Sequence, residues 1–374
     1  MRVYFDNAST TPVLPEVIDR MTEILTEEFG NPSSIHFHGR RARSVVEHAR
    51  KTVARIINAS VGEVFFTSTA TEANNMVLKN AYFDLGIRRF ITSPTEHHCV
   101  LYSLEYLEKK FGCTVLFVKV DERGSIDTDE LERLLSEGNE RTLVSIMHGN
   151  NEIGTLADIN HIGELCQTYD ALFHCDTVQT MGKYPIDVQA SGITFLSGSA
   201  HKFHGPKGAG FMFISNAASL MPYIHGGSQE RNMRAGTENV AGIAGLGVAL
   251  EEAYNNREAN HEKVLAIRNH FKKRALEELE DIRFNGAQDE RFMAHVLSAS
   301  FPPGPKADLL VMNLDIAGIS ASSGSACSSG VESDSHVLQA IGHPSDRKTI
   351  RFSFSIFNTL EEVEYTIQQL KQMV

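Results

Sequence analysis

The sequence is short of paired cysteines, of positive charge and of long apolar runs, and each shortage removes a class of answer. Its five cysteines (Cys99, Cys113, Cys166, Cys175 and Cys327) form no CxxC pair, and an odd, scattered set predicts reduced thiols rather than a disulfide framework. Lys and Arg total 35 against 47 Asp and Glu, a formal net charge of −12, which disfavours a nucleic acid or an acidic membrane surface as the main partner. No run of about eighteen apolar residues occurs, so no membrane span is expected. The opening stretch MRVYFDNASTTP is too polar for the apolar part of a signal peptide, and a cytoplasmic protein is the expectation. Internal repeats, low-complexity tracts and a GxxxxGKS/T phosphate loop are also missing. What is present is 374 residues, 42% of them hydrophobic, enough to build one large and one smaller core.

Short β-rich runs alternate with helical ones. Candidate strands are Val64 to Thr67, Arg89 to Thr92, Thr114 to Val118, Leu143 to Met147, Ala171 to His174, Ile193 to Leu196 and Gly210 to Ile214, most of them apolar on both faces. Helical patterns at Thr71 to Tyr82, Val100 to Phe111, Asp129 to Leu135 and Ile159 to Tyr169 separate them. This layout predicts an α/β fold with a mostly parallel seven-stranded sheet covered on both sides. Beyond about residue 255 the pattern changes to a long charged helix, Glu258 to Glu280, then strands near Val296 to Phe301 and Thr349 to Phe354 and a closing helix from Leu360. A smaller α+β domain is expected there.

In a parallel sheet the chemistry gathers in loops at the carboxyl ends of the strands. Ser68-Thr69-Ala70-Thr71-Glu72-Ala73-Asn74-Asn75 leads into a helix whose first-turn N–H groups suit an anion. Read alone, it is an ordinary helix start capped by Thr71. Glu96-His97-His98-Cys99 and His36-Phe37-His38 each lack a complementary cluster, so no metal is predicted and the second reads as a loop. Between residues 174 and 208 an acid and a lysine, Asp176 and Lys202, leave neighbouring strands. A lysine among small residues and imidazoles, with Gly-Pro-Lys-Gly turning just after it, loses solvation and becomes a nucleophilic amine. A structural Asp–Lys ion pair is the competing reading, and Lys207 reads as a solvated turn residue. Near the C-terminus Ser322-Ser323-Gly324-Ser325-Ala326-Cys327-Ser328-Ser329-Gly330 sets an accessible thiol among small residues that pack little.

These stretches, together with Tyr4-Phe5-Asp6-Asn7-Ala8-Ser9-Thr10-Thr11-Pro12, Met147-His148-Gly149-Asn150-Asn151-Glu152-Ile153-Gly154, His225-Gly226-Gly227 and Arg234-Ala235-Gly236-Thr237, stand in an order that resembles the cysteine desulfurases of the NifS/IscS type. These belong to the aspartate-aminotransferase-like, fold type I pyridoxal-phosphate enzymes. The resemblance covers nearly the whole chain. It implies a large domain over 16–255 and a small domain made of 1–15 with 256–374, the latter carrying the cysteine loop. It also implies that Lys202 holds pyridoxal phosphate, Asp176 pairs with the pyridine nitrogen, His97 stacks on the ring and serves acid–base chemistry, and Gln179 and Asn151 bond to it. The phosphate would lie on the N–H groups of Ala70 and Thr71 with Ser199 and His201, and Thr237 would reach it from the other subunit of a homodimer. Arg351, with Asn151, would hold the carboxylate of L-cysteine, Lys202 would move the α-proton, and Cys327 would take the sulfur as a persulfide.

By that resemblance the products are L-alanine and sulfur for iron–sulfur cluster assembly or for thiolation of tRNA or another target, delivered to an acceptor protein. Two departures from the family pattern stand out: Thr69 where glycine is common, and Ile356 where many relatives carry arginine. The chain also ends at Val374 without the longer tail some relatives use to dock a scaffold, which leaves the acceptor open. A selenocysteine lyase or aminotransferase of the same fold, in which Cys327 is dispensable, and a non-catalytic assembly partner are the alternatives. Intact Lys202, Asp176 and His97 argue against the last. The loop around 324–333 is expected to move.

Overall fold

The computed structural model describes residues 1–304, 307–323 and 335–374. After a short strand β1 (Val3–Tyr4) come helices α1 (Pro15–Glu27) and α2 (Phe37–Ile56). Strands then alternate with helices through β2 (Val64–Thr67), α3 (Ala70–Phe83), β3 (Arg89–Thr92), α4 (His98–Phe111), β4 (Thr114–Phe117) and α5 (Thr128–Ser136). The alternation continues with β5 (Thr142–Ser145), α6 (Ile159–Thr168), β6 (Leu172–Asp176), β7 (Phe195–Ser199) and β8 (Gly210–Ile214). Runs such as Val-Phe-Phe-Thr and Gly-Phe-Met-Phe-Ile have no polar alternation, and both are buried at every position, as a sheet covered on two faces requires. The strand order is β2-β8-β7-β6-β5-β3-β4 in one seven-stranded sheet. Only β8 opposes the others, pairing antiparallel with β2 and β7. The rest therefore end at one edge of the sheet.

The covering helices show the spacing that puts them there. In α5, Leu131, Leu134 and Leu135 are buried, one face of a 3.6-residue period. Two expectations need correction. His36-Phe37-His38 is no loop: His36 caps α2, its Nδ1 accepting from Gly39 N at 3.3 Å, and Phe37 and His38 form the first turn. The buried series Ala42, Val45, Val46, Ala49, Val53 that follows is the periodic signal three isolated residues could not supply. The cap of α3 is Thr69 rather than Thr71, with its hydroxyl accepting from Glu72 N at 3.1 Å, a contact that contributes about 1 kcal/mol.

The remaining elements are α7 (Val240–Asn255), α8 (Arg257–Glu278), β9 (Arg283–Asn285), β10 (Val296–Phe301), α9 (Leu310–Ile316), β11 (Ile319–Ser320), β12 (Ser322–Ser323), α10 (His336–Ala340), β13 (Lys348–Ser353) and α11 (Leu360–Met373). Strands β12-β13-β10-β9 form an antiparallel sheet. Although α8 is highly charged, Val264, Ile267, Phe271 and Ala275 make a buried stripe against this sheet's apolar side. The stripe belongs to one core with Phe5, Phe352 and Phe354; Phe271 and Phe352 lie 4.6 Å apart and Phe5 and Phe354 5.1 Å. Burying each ring contributes about 1.5–3 kcal/mol. The N-terminal segment is thereby bound to the C-terminal layer, with β1 parallel to β11 and Ser353 N donating to Phe5 O at 2.7 Å.

Candidate active site

The shared edge of the parallel strands opens on a cavity of about 350 Å³. Both β6 and β7 run further than the sequence reading placed them, so Asp176 and Ser199 are the last strand residues rather than loop residues. A short 3₁₀ turn, Ala200–Lys202, then carries Lys202 to the cavity. Beneath it Lys183 Nζ donates to the carbonyls of Lys202 at 2.7 Å and Gln179 at 3.1 Å. Burial, and next the neighbouring Lys202 charge, bring the Lys183 amine down to about 7. Lys202 Nζ itself donates to the carbonyls of Ala8 and Ser9 at 2.6 and 2.7 Å. The N-terminal segment is thus part of the site.

Asp176 is buried and accepts at both oxygens, from Asn74 Nδ2 at 2.7 Å and from Val178 N at 3.0 Å. His97, the N-cap of α4, lines the same cavity. Burial is the largest influence on its imidazole and lowers its pKa, with the Asp176 charge acting the other way. The N-terminus of α3 brings Ala70 and Thr71 to the opposite wall, where first-turn N–H groups have no helical acceptor. Ser199 and His201 line the same cavity. Burial takes His201 down to about 4, so it is uncharged.

The fourth wall comes from the antiparallel sheet. Arg351 on β13 donates from Nη1 to Asn151 O at 3.0 Å and from Nη2 to Asp6 Oδ1 at 2.9 Å and Ser9 Oγ at 2.6 Å. Its Nε is buried and has no partner among the described residues. Asn151 stands in a tight loop built by its neighbour: Asn150 Oδ1 accepts from Glu152 N and Ile153 N at 2.9 and 3.0 Å, and Gly154 closes the turn at φ +77, a conformation glycine adopts without strain. Glu152 accepts from Ser335 Oγ, and its burial raises the carboxyl to about 7.

Of the residues singled out from sequence, Lys202, Asp176, His97, Ala70, Thr71, Ser199, His201, Asn151, Gln179 and Arg351 all line this one cavity. Gln179 differs in detail, because its Nε2 donates to Ala8 O at 2.9 Å and its Oε1 faces His295. Thr237 is exposed and does not line the cavity of its own chain. Cys175 is fully buried. Cys327, with the expectation about its loop, lies outside the described residues. Asn74, Cys99, Glu152, Asp6 and Ser9 lie in stretches the sequence singles out but carry no predicted role beyond the rejected metal reading for Cys99, and nothing in the sequence marks Lys183.

Three chemically distinct stations therefore face one space: an amine, a buried carboxylate and a helix N-terminus suited to an oxyanion. Residues 3–366 match the Aminotransferase class-V family. The chain is a member of that family. A cysteine desulfurase IscS from Dictyoglomus turgidum is 41% identical over all of this chain and 94% of its own length. Among solved structures, a NifS-like protein superposes with a TM-score of 0.92 at 36% identity, covering 100% of this chain and 99% of that one. SspA in complex with cysteine reaches 0.84 at 31% identity, covering 96% and 100%. Cysteine desulfurases of this class are pyridoxal-phosphate enzymes, and the donor set here fits that cofactor: Asp176 suits a protonated ring nitrogen, the α3 N-terminus a phosphate, and Lys202 an aldehyde.

Proposed function

We propose that this chain is a cysteine desulfurase that converts L-cysteine to L-alanine and passes the sulfur to Cys327. The observation that carries this reading is the meeting of Lys202, Asp176 and Arg351 in one cavity, in a chain whose full-length relatives are cysteine desulfurases. Bound between these groups, pyridoxal phosphate supplies a carbonyl carbon for amines and a ring that accepts the electron pair left by a departing proton. Asp176 would hold the ring nitrogen, His97 the ring face, and Ala70, Thr71, Ser199 and His201 the phosphate, while Asn151 and Gln179 bond at the ring edge. The two terminal nitrogens of Arg351 match the fork of an amino-acid carboxylate. Lys202 takes the α-proton, its amine lying between the Ala8 and Ser9 carbonyls. The Cys327 thiolate attacks the substrate sulfur; the Cβ–S bond breaks with its electron pair left on carbon, a Cys327 persulfide forms, and the carbon skeleton takes up protons and leaves as L-alanine.

The same proposal includes the division into 16–255 and 1–15 with 256–374, supported by Phe5 packing with Phe271 and Phe354. It includes a homodimer in which Thr237 of one chain serves the cavity of the other, consistent with its exposure away from its own. A cytoplasmic acceptor protein, an iron–sulfur scaffold or a thiolation enzyme, would receive the sulfur. Among the described residues no helix is long and apolar enough to cross a membrane.

Purified protein given L-cysteine and a reductant, without any keto acid, should release alanine and sulfide in equal amounts. Alanine that appears only after a keto acid is added would make the chain an aminotransferase. A Cys327→Ala variant should retain the cofactor yet form no persulfide.

A further inference from the structure

Around Asp176 and His97 lies a continuous line of hydrogen bonds that the proposed reaction does not use. Ser145 Oγ is 2.8 Å from His174 Nδ1, and His174 Nε2 is 3.1 Å from Asn74 Oδ1. Asn74 Nδ2 donates to Asp176 Oδ2 at 2.7 Å and to Cys99 Sγ at 3.2 Å. Cys99 Sγ lies 3.0 Å from His97 Nδ1, to which Cys99 N also donates at 3.2 Å. His174 and Asn74 are wholly buried, and Cys99 lines the cavity.

The polarity of this line is fixed at each joint. A backbone N–H can only donate, so His97 Nδ1 carries a lone pair and its proton resides on Nε2. A carboxylate oxygen can only accept, so Asn74 turns its NH₂ towards Asp176 and Cys99 and its carbonyl towards His174. His174 then donates from Nε2 and accepts the Ser145 hydroxyl proton at Nδ1. The Cys99 sulfur, already accepting from Asn74, has one proton left, and the His97 Nδ1 lone pair 3.0 Å away is an acceptor for it. The Thr71 hydroxyl also faces this sulfur. Burial takes the thiol up to about 12, so the proton needed for that bond stays in place across the physiological range.

We propose that Cys99 and Asn74 are positioning residues: their side chains tie the His97 imidazole to the Asp176 carboxylate and reinforce the Nε2–H tautomer that the Cys99 main-chain N–H sets, so that the two groups that grip the cofactor ring respond as one unit. Neither residue touches the reacting atoms in this account. The inference rests on placing His97 and Asp176 against the cofactor, but its readout is the state of an imidazole, and so it fails separately from the desulfurase reading.

The test is ring-¹⁵N histidine NMR on the holoenzyme, with the His97 signal assigned by its loss in His97→Gln. In the wild type Nδ1 should resonate as an unprotonated nitrogen and Nε2 as a protonated one. Cys99→Ala should move Nδ1 downfield through loss of one donor, and Cys99→Ser should restore it. Asn74→Ala should shift the same signal in the wild-type background and leave it unmoved in the Cys99→Ala background, as a coupling carried by Cys99 requires. A protonated Nδ1 in the wild type, a Cys99→Ala signal coincident with wild type, or an equal Asn74→Ala effect in both backgrounds would overturn the proposal. Should Asn74→Ala fail to fold, the two Cys99 variants decide.

Discussion

The cavity has two kinds of wall. On the sheet side, Asp176, Ser199 and Lys202 are set by the backbone of β6 and β7, whose register is fixed by a ladder of main-chain bonds. Across from them Arg351 is aimed by side chains, through the Asp6 carboxylate and the Ser9 hydroxyl. The first wall is held by the main chain. In the second, a charged group belonging to the protein occupies a nitrogen that an incoming carboxylate also wants. In the proposed reaction the cofactor side is thus fixed by backbone and the substrate side is competitive, a division expected where one ligand stays and the other turns over.

Breaking the rigid wall should cost most. Lys202→Ala removes the amine that in the proposed reaction both anchors the cofactor and moves the proton, and turnover of L-cysteine should fall by about 10²–10⁴-fold or more. Steady-state alanine release measures this. If the fall stays within tenfold, another group moves the proton and the sheet-side wall is scaffold only.

The competitive wall should show its effect in substrate binding. In Arg351→Lys a point charge remains but the fork does not, and losing one charge-assisted bond of about 1.5–3 kcal/mol should raise KM for L-cysteine by about 10–100-fold with a smaller change in kcat. A fall in kcat at unchanged KM would place Arg351 in proton transfer or alignment instead.

The same contrast explains what could be read in the sequence. Doubly buried strands give unbroken apolar runs, so the six inner and near strands, with the half-exposed edge strand β4 read from its β-branched and aromatic residues, follow from local pattern, and with them the shared edge that gathers Asp176, Lys202 and His97. Arg351 was legible only through resemblance. Its partner Asp6 is more than 340 residues away along the chain, and no local pattern encodes such a pairing. The Asn74 bridge was hidden for the same reason, its partners sitting on β6 and α4, far from it along the chain. The cap of α3 was misplaced by two residues because Thr69 and Thr71 are equally good caps by type.

Glu152 sharpens the comparison through pH. Its buried carboxyl titrates near 7, against 4.5 for an unperturbed group, so the folded chain holds a proton that the unfolded chain has lost between those values. The stability this contributes is full below about pH 4.5 and disappears as pH rises through about 7. Glu152→Gln should leave stability little changed at pH 5 and raise it relative to wild type at pH 8, by on the order of 2 kcal/mol. Urea unfolding at the two pH values measures it. Equal effects at both would mean that Glu152 is ionised in the fold and held by the nearby Arg351.

The smallest expected effect asks which way the competition at Arg351 runs. Asp6 accepts from Arg351, Ser9 and Ser322 at one oxygen. Asp6→Asn can keep an oxygen there while removing the charge. Because the pair is partly exposed on the Asp6 side, the charge is worth about 1 kcal/mol or less. If Asp6 chiefly competes with the substrate carboxylate, KM for L-cysteine should fall by about 2–5-fold in the variant, since the substrate no longer displaces a charged partner. If it chiefly aims the guanidinium, KM should rise by a similar factor because the fork loses its orientation. The geometry around Arg351 favours the first outcome: Asp6 and Ser9 take both protons of Nη2 while Nη1 gives one to Asn151 O, so a carboxylate that uses both terminal nitrogens displaces Asp6 or Ser9.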